Sequence, residues 1–305
     1  MARQPLTVII PCKNEQHNIG DCLDSVRPVA DEILLADSGS TDATLEIARL
    51  RGVSRVICRE YVHSGDFKNW AIPQARCPWV LIVDADERVT EALADEIRRE
   101  LESPQYDGYW IYRENYFQGH RIRFSGWQND CCLRLFRRDL GRYVGQTDHA
   151  EVEITGGRVG RLRHRLKHYT SWHVLAYLRK LERYAEVQAQ VWYEQGRKPS
   201  LVKLAAIGPL RFLQTYLLRL GFLDGVPGLQ VCALTAFYSF LKQARLWELY
   251  YGKKQPLFPH DPQGALSAPK EPGDQSGCHL AHPSKRLPAG SSSCHRGPRQ
   301  DCGRP

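Results

Sequence analysis

The first hundred residues predict an α/β fold on a mostly parallel sheet with helices on both faces, followed by a helical region and a disordered tail. Two observations carry this. Short apolar runs alternate with ten- to fifteen-residue helical patterns, which is the signature of βαβ units. The loops that follow three of the runs, Pro11–Glu15, Asp37–Asp42 and Asp84–Glu87, are all polar and acidic. In a parallel sheet those loops share the carboxyl edge, where ligands bind.

Taken in order, strands are expected at Leu6–Ile10, Glu32–Ala36, Ser54–Cys58 and Trp79–Val83. Helices are expected at Gln16–Val26, Asp42–Leu50, Phe67–Ala75 and Thr90–Leu101. The reading then turns to β, with Gly108–Phe117, Arg121–Phe124, Cys132–Arg137 and Glu151–Ile154. Beyond Ser171 a 3.6-residue period predicts helices at Trp172–Tyr193, Leu201–Leu220 and Gly228–Tyr250. From Pro256 apolar periodicity vanishes, so the tail cannot bury enough surface to offset its ordering entropy. Three regions follow: a catalytic domain over 1–155, a basic helical region over 156–255 and a tail over 256–305.

Charge divides along the same lines. Residues 1–155 carry 19 Lys/Arg against 25 Asp/Glu, whereas residues 156–255 carry 17 against 5. A basic half beside an acidic one predicts contact with a polyanion. No helix-turn-helix, RNP motif or zinc module accompanies the basic run between Gly157 and Lys167, which argues against nucleic acid. Residues 201–251 instead mix Leu, Phe, Tyr and Trp with Lys203, Arg211, Arg219, Lys242 and Arg245. That composition suits helices lying on an anionic membrane surface, and equally a helical core packed on the catalytic domain. No signal peptide is visible, and the ten scattered cysteines contain no Cys-x-x-Cys, so a reduced, cytoplasmic setting is expected.

The chemistry centres on Val80-Leu81-Ile82-Val83-Asp84-Ala85-Asp86-Glu87. Carboxylates cannot be buried uncompensated, so the strand must reach the surface at Asp84. An Asp-x-Asp there suits a hard cation that takes its remaining ligands from phosphate and water; a strand end running into a helix cap is the plainer reading. Asp37-Ser38-Gly39-Ser40-Thr41-Asp42 could present backbone N–H groups to an anion or nucleoside, or simply cap the next helix. The absence of Gly-x-Gly-x-x-Gly after the first strand disfavours a dinucleotide fold.

Together, Val8-Ile9-Ile10-Pro11-x-x-Asn14-Glu15, Leu34–Thr44 and Val83–Glu87 resemble the inverting family 2 glycosyltransferases of GT-A fold. Further segments, including Gly126-Trp127, Arg134–Arg138, His168-Tyr169 and Gly221–Leu229, resemble the bacterial lipopolysaccharide core β-1,4-glucosyltransferases. The resemblance implies that Pro11, Asn14, Glu15, Asp37 and Ser38 hold the nucleoside of a UDP-sugar, with Lys68 at the diphosphate and Asp84 at the ribose or sugar. It implies Asp86 and Asp84 as the ligands of Mg2+ or Mn2+, with His149 a candidate third. The base that deprotonates the acceptor would be Glu151, Asp148 or Asp130, because Ala150 stands where the family carries Glu.

The expected activity is therefore transfer of a hexose, glucose above all, from a UDP-sugar to a lipid-linked saccharide such as a lipopolysaccharide core. It would take place at the inner face of the membrane, where the protein is peripheral. The alternatives are a polyprenyl-phosphate sugar synthase and a catalytically silent sugar-nucleotide or glycolipid binding protein.

Overall fold

The computed structural model describes residues 3–53, 55–145 and 150–252. Leu6–Cys12 (β1) pairs in parallel with Glu32–Asp37 (β2) and Trp79–Ile82 (β4), and β2 pairs in parallel with Arg55–Cys58 (β3). Their order is β3-β2-β1-β4. The crossovers are the helices Ile19–Val26 (α1), Thr44–Leu50 (α2) and Ser64–Ala71 (α3). Because these strands run the same way, the loops after β1, β2 and β4 leave from one edge.

Side chains alternate between two apolar layers, as strand geometry requires. Leu6, Val8, Ile10, Leu35 and Leu81 pack with Ile19 and Leu23 of α1 and with Leu93 and Ile97 of Glu91–Glu100 (α4). Ile9, Leu34, Val80 and Ile82 face the other way, onto Phe67 and Ala71 of α3. Cover on both faces matches the expectation from sequence. Helix starts follow their caps: Thr90 Oγ1 accepts from Leu93 N (3.2 Å) at α4, and His63 Nδ1 accepts from Asp66 N (3.2 Å) at α3. The His63 cap explains why α3 begins before the Phe67 expected from apolar spacing.

Beyond β4 the sheet becomes mixed. Cys131–Arg137 (β8) runs antiparallel to β4 and to Gly108–Phe117 (β6), and a two-residue strand, His120–Arg121 (β7), pairs with β6. Val159–Ser171 (β11) then runs parallel to β6 and antiparallel to Glu87–Val89 (β5). Gly141–Val144 (β9) and Glu151–Ile154 (β10) form a separate hairpin, which packs Tyr143 and Val152 against the α3 side.

Sequence periodicity missed β5, β9 and β11. In β11 the buried Leu162 and Leu166 stand four apart, and the register shifts between Arg161 and Arg165, so the two-residue alternation is interrupted. Arg161 and Arg165 place their guanidinium groups over the Tyr112 ring, at 5.2 and 4.9 Å from its centroid. The basic run is thus a strand of the sheet, which continues past residue 155.

The helices Val174–Glu194 (α5) and Leu201–Leu213 (α6) both pack on Gly225–Tyr251 (α7). Between α6 and α7 the segment Gly221–Gly228 acts as a clamp. A Cβ on Gly228 would lie 2.2 Å from the Gly221 carbonyl oxygen, and one on Gly221 would lie 2.5 Å from Cys232 Sγ. Asp224 accepts from Arg123 N (2.9 Å) and Phe124 N (2.8 Å), tying the helices to the loop after β7. Phe117, Ile122, Tyr177, Leu181 and Val231 fill the junction. Asp148, His149 and residues 253–305, including the expected disordered tail, lie outside the described residues.

Candidate active site

The turn after β4 sends its three carboxylates to three different environments. Glu87 N donates to the Asp84 carbonyl (2.8 Å) and Asp84 N donates to Glu87 Oε2 (3.0 Å), closing a tight loop. Glu87 is wholly buried and faces Arg134 (2.9 Å) and Arg113 (3.5 Å). Asp84 has Lys68 at Oδ1 (3.0 Å) and Arg134 at Oδ2 (2.5 Å). Burial would raise its pKa, but the charges of Arg134 and then Lys68 outweigh that and hold it well below the carboxylate range. Asp84 and Lys68, both assigned to the nucleotide by resemblance, therefore form an ion pair with each other, Lys68 buried and Asp84 partly so.

Asp86 faces a cleft of about 1260 Å³. His168 Nε2 and Lys180 Nζ approach the same oxygen, Oδ2, at 3.5 and 3.9 Å. Among the described residues nothing is bonded to Oδ1. Burial acts to raise the Asp86 pKa, yet His168 first and Lys180 after it bring it down to about 2.

His168 is oriented from behind. Its Nδ1 lies 2.6 Å from Asn115 Oδ1, and Asn115 Nδ2 donates to Asp130 Oδ2 (2.8 Å). An amide oxygen accepts only, so Nδ1 donates its proton to Asn115 and the Nε2 edge of the ring is turned toward the Asp86 carboxylate. A histidine whose far nitrogen is anchored in this way is ready to ligate a metal. The 3.5 Å between Nε2 and Oδ2 approaches the separation of about 3 Å for neighbouring ligands at right angles around an ion with bonds of about 2.1 Å.

Asp86 and His168 thus fit Mg2+ or Mn2+, with phosphate and water completing the shell. Among the described residues no group of three His, Cys, Asp or Glu side chains converges for a metal. His149, the third ligand expected by resemblance, lies outside them.

The loops assigned to the nucleoside are tied to one another. Asn14, at a φ of 54°, donates from its backbone N to Ser40 Oγ (2.9 Å) and accepts at Oδ1 from Thr41 N (2.8 Å). Asp37 is buried and accepts from Gly39 N (2.9 Å), Ser40 N (3.0 Å) and Ser40 Oγ (2.5 Å). Ser38 Oγ donates to the Cys12 carbonyl (3.2 Å). Pro11 sits in β1 opposite Ala36 of β2. Glu15 reaches the cleft beside Asp86; burial raises its pKa, against a hydrogen bond from Asn18 (2.8 Å). Asn14, Asp37 and Ser38 therefore shape these loops, and Glu15 is the one of the group that lines the cleft.

The base candidates separate. Asp130 has Arg113 at Oδ1 (2.7 Å) and Asn115 at Oδ2; burial opposes, but Arg113 and these hydrogen bonds hold its pKa below the usual range. It is suited to fixing Asn115 and His168, and poorly suited to taking a proton. Glu151 is exposed at the start of β10 and does not line the cleft. Asp148 lies outside the described residues. Ala150 packs against α3, where a Cβ on Gly65 would meet its own Cβ at 2.8 Å.

Sequence reasoning assigned no role to Asn115, His168 or Lys180. His168 had a visible signal in the His168-Tyr169 segment, but Lys180 reaches the site only because α5 folds back over it.

The glycosyl transferase family 2 model matches residues 7–166. The lipopolysaccharide core biosynthesis glycosyltransferase LpsC of Rhizobium meliloti is 29% identical over 83% of this chain and 95% of its own length. An uncharacterized glycosyltransferase of Rickettsia bellii is 28% identical over 80% of this chain and 86% of its own. Among solved structures, glucosyl-3-phosphoglycerate synthase from Mycobacterium tuberculosis with Mn2+, UDP and glucosyl-3-phosphoglycerate aligns at 18% identity and a TM-score of 0.41, covering 65% of this chain and 82% of that one. With the family model spanning more than half of its length, the chain belongs to glycosyl transferase family 2 and is a glycosyltransferase.

Proposed function

We propose that this glycosyltransferase moves a hexose, glucose first among the candidates, from a UDP-sugar to a lipid-linked saccharide of the lipopolysaccharide core kind, with inversion. The observation that carries the reading is that Asp86, which lines a cleft together with Glu15, is paired with an oriented His168 behind it. LpsC, matched over nearly its whole length, supports the acceptor class.

Asp86 and His168 would hold Mg2+ or Mn2+, which supplies Lewis-acid neutralisation of the departing diphosphate. Lys180 adds a second positive charge at the same place; although burial disfavours the ammonium, Asp86 outweighs this and raises its pKa, so it stays charged. The Asn14–Ser40 and Asp37–Ser40 bonds hold the nucleoside loops in one geometry, so little ordering remains for the donor to impose. Of the base candidates that the resemblance implies, Asp148 remains to take the acceptor proton, since Glu151 does not line the cleft.

Membrane association belongs to the same proposal. α6 and its continuation, Leu201–Leu218, have a mean hydropathy of 1.2 over 18 residues, of which 6% are buried. Leu218 (81% exposed), Val226 (68%) and Leu223 (55%) stand out around the clamp, close in sequence to Arg211 and Arg219. That pattern suits an apolar face entering the headgroup boundary of a cytoplasmic leaflet.

A panel of nucleotide hexoses with Mn2+, with and without core oligosaccharide, tests the reading through UDP release. Acceptor-stimulated release from UDP-glucose is expected. Preference for a non-uridine donor, or turnover unaffected by a chelator, would overturn the donor or metal assignment respectively.

A further inference from the structure

The cleft beside Asp86 has a wall that the donor chemistry does not use. Tyr116 of β6, Tyr169 of β11 and Trp172 form a column of stacked rings. Tyr116 and Tyr169 lie 5.0 Å apart at 26°, and Tyr169 and Trp172 lie 5.4 Å apart at 11°. The Arg88 guanidinium stands 5.5 Å from the Tyr169 centroid. Gly119 backs Trp172 so closely that a Cβ there would meet its ring at 3.2 Å. The indole is thus held from two directions, yet it remains 48% exposed and lines the cleft. Fixing a large apolar ring without burying it gives up much of the stability that burial would bring, which fits a surface built for a ligand.

We propose that Trp172 is the stacking platform for a pyranose ring of the acceptor saccharide, next to the ring that carries the reacting hydroxyl; the inference rests on the glycosyltransferase reading above. The C–H face of a pyranose lies flat on an indole, while its hydroxyls need donors and acceptors at the rim. His17, Asp21, Lys167 and His173 supply that rim.

The platform is coupled to the reacting centre through one strand. Tyr169 N donates to the Asp86 carbonyl (2.9 Å), its neighbour His168 faces the Asp86 carboxylate, and Trp172 follows four residues after His168. At about 3.3 Å per residue the chain separation is at most about 13 Å, a distance measured in single sugar rings. A uracil ring could also stack on an indole. Of the residues assigned to the nucleotide only Glu15 lines this cleft, at the Asp86 end, whereas Asp37, Ser38 and Lys68 do not, which leaves the Trp172 end to the acceptor side of Asp86.

The test uses the full chain with Trp172→Ala and Trp172→Phe, deacylated lipopolysaccharide core oligosaccharide as acceptor, and UDP titrated calorimetrically. Trp172→Ala should raise the acceptor KM about tenfold, the equivalent of roughly 1.4 kcal/mol, with Trp172→Phe in between. Donor KM, UDP affinity and melting temperature should stay at wild-type values. An unchanged acceptor KM, or a matching loss of UDP affinity, overturns the platform while leaving the transferase reading intact. A wild-type protein that neither binds nor glycosylates the oligosaccharide overturns both.

Discussion

Arg134 is the residue on which the geometry of the acidic turn depends most, and replacing it by Met isolates that dependence. Arg134 is buried between Asp84 (2.5 Å) and the wholly buried Glu87 (2.9 Å). Its removal leaves Glu87 with Arg113 alone at 3.5 Å, and Asp84 with Lys68 alone. Deleting one member of a buried ion pair costs about 3–5 kcal/mol, because the remaining charge is stranded. The loss at pH 7 should fall in that range.

The pH dependence gives a second, independent handle. The folded pKa of Asp84 is depressed, so its stabilisation of the wild type is present above the ordinary carboxylate range near 4 and fades as pH falls below it. In the variant Asp84 keeps only Lys68 and protonates more readily, so the deficit should hold from pH 7 to about pH 4 and shrink by about pH 3. Adding Glu87→Gln should restore part of the lost stability by removing the stranded charge. Urea unfolding followed by tryptophan fluorescence at both pH values measures all three proteins. A deficit below about 1 kcal/mol, or one that is the same at pH 7 and about pH 3, would refute the account of the cluster.

Asp86→Asn should lower the transfer rate by about 10²–10³ at saturating Mn2+ with an unchanged circular dichroism spectrum; near-full activity would remove Asp86 from the chemistry. Because the Asp86 pKa lies at about 2, its contribution to wild-type stability persists above about pH 4 and is lost as pH falls through 2. The acid arm of a pH–rate profile between 4 and 6 should therefore survive in Asp86→Asn residual activity. Asn115→Ala frees the Nδ1 side of His168 and should raise the Mn2+ concentration for half-maximal rate by roughly 10–100-fold, and an unshifted metal titration would argue that His168 needs no such anchor. Leu218→Asp combined with Val226→Asp should abolish co-sedimentation with vesicles containing anionic lipid while leaving the melting temperature in place, since both side chains are already exposed; undiminished sedimentation would move the membrane contact elsewhere.

The parallel half of the sheet was legible because each of its strands is a dense apolar run bounded by polar turn residues. Leu6, Val8 and Ile10 on one face and Ile9 on the other are all buried, so even a coarse reading finds the strand. β11 was not legible, because its two leucines stand four apart among Arg, His and Lys across a register shift and a charge count reads it as a basic surface. Charge in a sequence reports composition, whereas the fold decides whether it is solvated. Arg161 and Arg165 stand on a tyrosine ring at the sheet, and Arg134, in a strand that was anticipated, is buried against two carboxylates.

The same distinction governs the site. Asp84, Asp86 and Glu87 are chemically near-equivalent in sequence, and an Asp-x-Asp pattern makes the first two look interchangeable. Their difference comes from partners distant in the chain: Lys68 and Arg134 for Asp84, Arg134 and Arg113 for Glu87, and His168 and Lys180 for Asp86. Asp84 and Glu87 are matched by Arg or Lys at salt-bridge distance and fix the turn. Asp86 has only looser neighbours, and one of them is a histidine whose Nε2 faces it at 3.5 Å. A carboxylate that is ionised, at a cleft and incompletely matched is the one left to engage a cation that arrives with a substrate. That selection is made by β11, which periodicity missed, and by α5, which periodicity found without showing what its Lys180 would face, so the chemistry of the acidic turn is completed by partners that lie far from it in the chain.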